Sequence, residues 1–441
     1  MNLTTTQIIK AINAESNAED ALVTSVCTDT RQIEEGALFV ALRGSNFDGH
    51  KFIPEALEKG AVCAISEEYL PYPILKVDNA HKALVDLAKY YKKLFPVKTI
   101  AITGSTGKTT VKDMTASVLS TKYKTLKNDG NLNNEIGVPL TVFRLDISHE
   151  MAVFELAMRH IGDIRLLADI VRPDIGVITN IGYSHAELLG SRDNILAAKT
   201  EIFDFCTDDS IVILNGDDEK LSAVKGKYQT VFFGLGKNNN IRATDIKYGL
   251  WGGVFRLHTD NDNIIVRLQT PGAHMVYNAL AAAAVGLSLG LDIESVRNGL
   301  ENFRQSKGRM EITSKDGIVY INDAYNASPA SMKAAMDVLE HAPARRICII
   351  GDMLELGEFS REFHREIGVY AAAKGFEIII CVGKRAEDMY KGAVEAAADG
   401  QEVLYFSTKE ELQPLKNELK KDGDTVLIKA SRMMGLDSLI I

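Results

Sequence analysis

The sequence predicts an α/β protein of three domains. These are a small N-terminal α/β domain, a central parallel-sheet domain of the P-loop type, and a C-terminal Rossmann-like domain. Three observations carry this. The chain has 441 residues, about three domains at roughly 150 residues each. Strand-like apolar runs alternate with helical patterns along most of it, which calls for a mostly parallel sheet. The pattern restarts near residue 81 and again near residue 308, so the expected domains are residues 1–80, 81–307 and 308–441.

In the first block, Phe39–Leu42, Ala61–Ile65 and Ile74–Val77 read as short strands and Pro54–Lys59 as a helix. So few elements make too small a core to house catalysis alone. A helix is predicted over His81–Leu94, where Leu84, Leu87, Ala88 and Tyr91 recur at helical spacing. It stops before Pro96.

In the second block, Val97–Thr103, Met151–Leu156, Ile175–Thr179 and Ile211–Leu214 read as buried strands. Helices are predicted at Lys108–Leu119, Ile161–Val171, Asn194–Phe205 and Val276–Leu289. The stretch from Val231 to Gln269 alternates, is punctuated by Gly and lacks a helical pattern, so it reads as an antiparallel insertion.

In the third block, strands are predicted at Ile318–Ile321, Ile347–Ile350, Ile378–Val382, Val403–Phe406 and Thr425–Ile428. Helices are predicted at Pro329–Leu339, Arg361–Ala373, Arg385–Ala397 and Lys409–Lys420. That alternation suits a doubly wound sheet. The segments near Asn79 and near Lys307–Gly308 are the candidate hinges.

Composition narrows the function. Apolar residues are 46% and charged residues 25% of the chain, as in ordinary globular proteins. Fifty basic against 59 acidic side chains leave a net charge of −9 without a basic block, which argues against nucleic acid as partner. The five cysteines are scattered and no pair has CxxC spacing, as in a reducing compartment. No signal pattern and no long apolar span are visible, so membrane insertion is not expected and the cytoplasm is the expected location.

The sharpest motif is Thr103-Gly104-Ser105-Thr106-Gly107-Lys108-Thr109-Thr110, between a predicted strand and a predicted helix. A phosphate loop needs this placement, because backbone N–H groups of the turn and the helix start converge on phosphate oxygens. Gly104 and Gly107 let the backbone come close. Lys108 is placed to neutralise terminal phosphates, and Thr109 and Thr110 open the helix, Thr109 offering a hydroxyl to Mg²⁺. Ile102 stands where the usual pattern has Gly, so this is a shortened variant of the P-loop. The competing structural reading is a plain strand–turn–helix junction with an exposed lysine.

Three further residues are polar where burial is expected. Glu155 lies in the apolar run Met151–Leu156; buried carboxylates are rare unless paired or metal-bound. The alternative is a strand-end glutamate paired with Arg159. His185 follows a predicted strand at its carboxyl end, where α/β ligand sites lie, although a loop histidine is more often a surface residue. Lys199 falls on the apolar stripe of Ile195, Ile202 and Cys206. A lysine there must snorkel, pair with a buried acid or be chemically altered.

Together these residues resemble the Mur ligases, the ATP-dependent enzymes that build the peptide stem of bacterial cell-wall precursors. The resemblance extends over essentially the whole chain. It rests on Thr28-Asp29-Thr30-Arg31, Leu38–Leu42 and Phe47-Asp48-Gly49-His50 in the first block. It continues in Asn131–Pro139 and Ala198-Lys199-Thr200-Glu201-Ile202-Phe203, then in Asp323-Ala324-Tyr325-Asn326-Ala327-Ser328-Pro329 and Gly351–Gly357. The run Gly351-Asp352-Met353-Leu354-Glu355-Leu356-Gly357 is typical of the member that adds a dipeptide.

The resemblance implies a monomeric enzyme joining D-alanyl-D-alanine to UDP-N-acetylmuramoyl-tripeptide through an acyl phosphate. It implies that Gly104, Ser105, Thr106, Gly107, Lys108, Thr109 and Thr110 hold ATP. Asn278, Arg309, Asp323, Tyr325 and Asn326 would complete the nucleotide site. It implies Mg²⁺ at Thr109, Glu155, His185 and Lys199, with Lys199 carbamylated. Lys108, Glu155, His185, Lys199 and Arg309 are the implied catalytic set. Thr30, Arg31, Asp48 and His50 would hold the uridine-diphosphate end, and Asn134 the acceptor. One departure is Met275, where the family pattern has Asn, which removes a hydrogen-bonding group near the nucleotide. Three other readings stay open on the sequence: a ligase adding a single amino acid, a nucleotide-switch NTPase, and a binding-only relative.

Overall fold

The computed structural model describes residues 1–184, 186–415 and 418–440. Apolar strands that alternate with amphipathic helices build three large sheets, each belonging to one stretch of the chain, and Leu3–Thr4 with Leu22–Val23 adds a small antiparallel pair.

The N-terminal sheet has the spatial order Glu15–Ser16, Ile74–Lys76, Ala61–Ser66, Ala37–Val40, Ser25–Cys27. All its pairs are parallel except that of Glu15–Ser16 with Ile74–Lys76. A helix not read from the sequence, Thr5–Ile12, precedes it. Thr4 and Gln7 form its capping box, satisfying donors that a helix start otherwise leaves open.

The central sheet has nine strands, and Lys98–Thr103 lies in its interior between Ile175–Ile178 and Met151–Glu155. After Lys98–Thr103 the chain first builds one side of this sheet and then crosses to the other. The carboxyl end of Lys98–Thr103 is therefore a switch point, where side chains of several strands and loops meet in a crevice. The stretch 231–269 departs from the antiparallel insertion expected of it. Gln229–Gly234 pairs parallel with Ile211–Asn215 and with Ile241–Gly249; only Ile241–Gly249, Gly252–His258 and Asn263–Leu268 are antiparallel to one another. All of them extend the central sheet. The reason is burial: Phe233, Ala243, Phe255 and Leu257 lie in the same apolar cluster as Ile102 and Val177.

The C-terminal sheet has the order Glu311–Lys315, Ile318–Asn322, Thr425–Lys429, Arg346–Gly351, Ile378–Val382, Glu402–Phe406. The last strand in sequence is inserted near the middle, parallel to both neighbours. This brings the carboxyl ends of Ile318–Asn322 and Thr425–Lys429 side by side.

Two helices differ from their expected extent. The one expected over Asn194–Phe205 runs Arg192–Thr200, with its N-terminus capped by Ser191, and continues as a 3-10 turn Glu201–Phe203. The one expected over Lys409–Lys420 is regular only over Lys409–Leu412. Pro414 ends it, lacking the N–H that a further turn requires. All five cysteines are free. Among the described residues no helix is long and apolar enough to cross a membrane.

Candidate active site

The strand Lys98–Thr103 ends in a tight turn, and the helix Lys108–Leu119 starts at Lys108. Both glycines of the turn are dictated by backbone and space. Gly107 has φ +80°, and a Cβ there would lie 2.5 Å from Asn278 Oδ1. A Cβ on Gly104 would lie 1.9 Å from Thr179 Oγ1. The turn is held by the neighbouring strand end. Thr106 N donates to Asn180 Oδ1 at 3.0 Å, Ser105 N to Asn180 O at 3.0 Å, and Thr179 Oγ1 to Thr106 O at 2.6 Å.

Two lysines reach this turn. Lys108 Nζ donates to Gly104 O at 2.8 Å and Ser105 O at 3.3 Å, while Lys199 Nζ donates to Gly104 O at 3.0 Å. Lys199 is 1% exposed, so it does not snorkel. Among the described residues neither lysine has a carboxylate in an ion pair. Burial pushes the Lys199 amine well below the ordinary lysine range, and the Lys108 charge pushes it further down. Burial lowers Lys108 as well, with Glu155 opposing and Arg309 assisting. Burial beside the Lys108 charge thus favours the neutral amine of Lys199 and leaves Lys108 as the group that an anion on this turn would meet.

Glu155, at the end of the strand Met151–Glu155, is 2% exposed. It does not pair with Arg159. Its carboxylate accepts from Thr109 Oγ1 at 2.7 Å and from Asn133 Nδ2 at 2.8 Å. Its backbone is fixed by the side chain of Asn128, which accepts from Glu155 N at 2.9 Å and donates to Glu155 O at 3.3 Å. The donors gathered here, a threonine hydroxyl and a carboxylate, are hard oxygen ligands of the sort Mg²⁺ takes. Among the described residues no cluster of three His, Cys, Asp or Glu could hold a metal alone.

The turn opens into a cleft of about 1210 Å³ between the central and C-terminal sheets. Ser105, Thr106, Gly107, Lys108, Thr109, Thr110, Asn134, Glu155 and Asn278 line it from the central side. Arg309, Asp323, Tyr325 and Asn326 line it from the other. Gly104 and Lys199 do not line it. The Arg309 guanidinium sits 4.1 Å from the centre of the Tyr325 ring, and that of Arg432 sits 4.8 Å from it. Asp323 is ion-paired with the buried Lys429, which also donates to Asn326 O at 2.9 Å. Met275 is 1% exposed, and its sulfur accepts from Asn278 Nδ2 at 3.7 Å.

His185 lies outside the described residues. Thr30, Arg31, Asp48 and His50 are in the N-terminal unit and do not line this cleft. They satisfy one another locally. Asp29 caps the turn at Thr30–Gln32 and pairs with Arg31, and Asp48 caps the turn at Gly49–Phe52. His50 Nδ1 is 2.7 Å from Asp48 Oδ1, and His50 Nε2 accepts from Glu67 N.

Three contributors were missed from the sequence: Asn180, Asn128 and Lys429. Asn180 directly follows a predicted strand, the signal that drew attention to His185. Lys429 is a charge at the end of an apolar strand, the signal that singled out Glu155. Asn128 carries no local signal, because its partner is 27 residues away.

Comparison with known proteins finds three family models along the chain. Residues 22–92 match the Mur ligase family, catalytic domain; residues 102–286 the Mur ligase middle domain; and residues 308–432 the Mur ligase, glutamate ligase domain. A UDP-N-acetylmuramoyl-tripeptide–D-alanyl-D-alanine ligase of Bacillus subtilis is 36% identical, aligned over 98% of this chain and 96% of its own. The ligase of that name from Escherichia coli is 34% identical over 100% and 98%. A crystal structure of MurF from Acinetobacter baumannii superposes with a TM-score of 0.92 at 32% identity, covering 100% of this chain and 98% of its own. MurF from Thermotoga maritima in complex with ADP superposes with a TM-score of 0.83 at 29% identity, over 94% and 96%.

Proposed function

The chain belongs to the Mur ligase family, and from that premise we propose that it joins D-alanyl-D-alanine to UDP-N-acetylmuramoyl-tripeptide at the expense of ATP. The product serves peptidoglycan precursor synthesis in the cytoplasm. The observation that carries the site assignment is the convergence of Lys108 and Lys199 on Gly104 O beside the buried Glu155. A triphosphate bound on this turn would meet the buried Lys108 charge.

The units assigned to the work are residues 1–80 for the UDP end, 81–307 for ATP and 308–441 for closing the cleft. Gly104 to Thr110 cradle the phosphates through backbone N–H groups. Lys108 and Arg309 neutralise the terminal phosphate from the two sides of the cleft. Asn278, Asp323, Tyr325 and Asn326 hold the rest of the nucleotide. Thr30, Arg31, Asp48 and His50 bind the uridine diphosphate, and Asn134 the acceptor.

A carboxylate oxygen of the tripeptide attacks the γ-phosphorus of ATP, the bond to the bridging oxygen breaks, and ADP leaves. Positioning and charge neutralisation dominate such a step. The amine of D-alanyl-D-alanine then attacks the acyl carbon, phosphate departs with the bonding pair, and the amine loses a proton. Closure of the cleft shields the acyl phosphate from water.

Thr109, Glu155, His185 and Lys199 would hold Mg²⁺, which when bound neutralises charge on the phosphate and carboxylate oxygens. For Lys199 this requires carbamylation. A neutral amine adds its nitrogen lone pair to CO₂ and loses a proton, and the resulting carbamate puts an anion beside the Lys108 charge. The buried, unpaired state of Lys199 supports this reading.

Phosphate release with UDP-N-acetylmuramoyl-tripeptide, measured with and without D-alanyl-D-alanine, tests the function. Turnover that needs the dipeptide supports it. Turnover that ignores the dipeptide favours a nucleotide switch, and preference for a single amino acid favours another Mur-type ligase.

A further inference from the structure

Residues 303–310 link the helix Ile293–Asn302 to the strand Glu311–Lys315. On its C-terminal side this linker is fastened to the last unit: Met310 N donates to Asp323 Oδ1 at 3.0 Å, and Tyr325 N to Gly308 O at 3.2 Å. On its other side Ser306 Oγ donates to Asp113 Oδ2 at 2.7 Å. Asp113 lies on the phosphate-loop helix Lys108–Leu119 and is 6% exposed. Its second oxygen is paired with Lys127 and lies 3.3 Å from Lys112. Burial opposes the Asp113 charge, yet Lys112 and Lys127 hold the carboxyl below its ordinary range. Lys112 is itself 1% exposed and donates to Asn128 O at 2.7 Å. Asn128 is the residue that fixes the backbone of Glu155.

The cluster that receives the linker is therefore continuous with the support of Glu155. Ser306 is also one turn away from Arg309, since Arg309 N donates to Ser306 O. Arg309 has no carboxylate in an ion pair among the described residues, and its charge is felt by Lys108 across the cleft. Its guanidinium rests 4.1 Å from the centre of the Tyr325 ring, so it is held on the C-terminal side of the cleft, and Ser306 is what ties that side to the phosphate-loop helix.

We propose that Ser306 and Asp113 form a pin between the interdomain linker and the phosphate-loop helix, making both of them positioning residues that set where Arg309 meets the nucleotide. This rests on the reading of Arg309 as a phosphate-facing group. A hydrogen bond to a buried carboxylate is strong enough to matter, because breaking it leaves the charge short of a donor. The linker would then turn about Asp113 without losing its grip on the helix that carries Lys108.

The test is a double-mutant cycle of Ser306→Ala and Arg309→Ala. It is read as ATP affinity by calorimetry, as kcat for phosphate release and as melting temperature. Ser306→Ala is expected to weaken ATP binding about tenfold, to lower the melting temperature by the same small amount whether or not Arg309 is present, and to be rescued by Ser306→Thr. In the Arg309→Ala background it is expected to cause no further loss of ATP affinity. A loss of equal size in both backgrounds, or no loss in the otherwise wild-type enzyme, overturns the pin. ATP affinity does not depend on ligation, so a protein that binds ATP but fails to join the dipeptide refutes the proposed function and leaves the pin standing.

Discussion

The side-chain nitrogens of Lys108 and Lys199 both donate to the carbonyl oxygen of Gly104, at 2.8 and 3.0 Å, from residues 91 positions apart in the chain. Burial and the neighbouring Lys108 charge both disfavour the charged form of Lys199. The arrangement makes sense as one half of a site whose other half is an anion.

Lys199→Ala is expected to lower ligation about tenfold to a hundredfold, the range for groups that support a metal. Added bicarbonate should not restore it, whereas Lys199→Glu should retain part of the activity because it also presents a carboxylate. Phosphate release decides this, together with ¹³C NMR of the wild-type enzyme in labelled bicarbonate. Full activity of Lys199→Ala would reject the role.

Gly107→Ala should abolish most ATP binding. The positive φ costs about 1–3 kcal/mol for a residue with a Cβ, and that Cβ would press on Asn278 Oδ1. Calorimetry on the purified variant checks this. An affinity equal to wild type would mean that the turn relaxes freely and that its glycine is not needed.

His364 predicts a pH dependence of stability. It is 1% exposed, its Nε2 accepts from Met353 N at 3.0 Å, and its Nδ1 donates to Ser360 O at 2.6 Å. That is the neutral tautomer, and burial lowers its pKa from 6.5. Below pH 6.5 the unfolded chain takes up a proton that the folded one resists, so stability falls as pH drops until the folded pKa is passed. Thermal melts between pH 7.5 and about 5 should show this slope, reduced in His364→Gln. Identical slopes in both proteins would remove His364 from the account.

Met275→Asn replaces a buried thioether beside Asn278 by an amide. The prediction is a lower KM for ATP, because the amide adds a hydrogen-bonding group at the cleft wall. It should come with a lower melting temperature, since a buried amide is costly when incompletely paired. An unchanged KM would show that the nucleotide site does not use this position.

Much of the site was legible before any coordinates, and the reason is local. The strand, glycine turn and helix start of Thr103–Thr110 depend on near neighbours, and the helix Lys108–Leu119 has the ends read from the sequence. Glu155 and Lys199 stood out because an ionisable group in an apolar pattern is costly unless it has a task. Extents were less secure. Pro414 cut short a helix whose apolar spacing promised more, and residues 231–269 joined the central sheet through pairings that spacing does not encode. Asn128, Asn180 and Lys429 gained meaning only from distant partners.

By itself, the sequence determined the local conformations, the glycine turn and the identity of the costly buried charges. These follow from φ/ψ preferences and burial costs that act within a few residues. Only the tertiary structure decided that Lys199 meets Gly104, that Asn128 braces Glu155, and that Ser306 reaches Asp113 across 193 positions. Such meetings are set by which strand ends share a crevice and in which order the strands pair. That order is chosen by the packing of whole sheets and helices, a free energy that no short window of sequence contains.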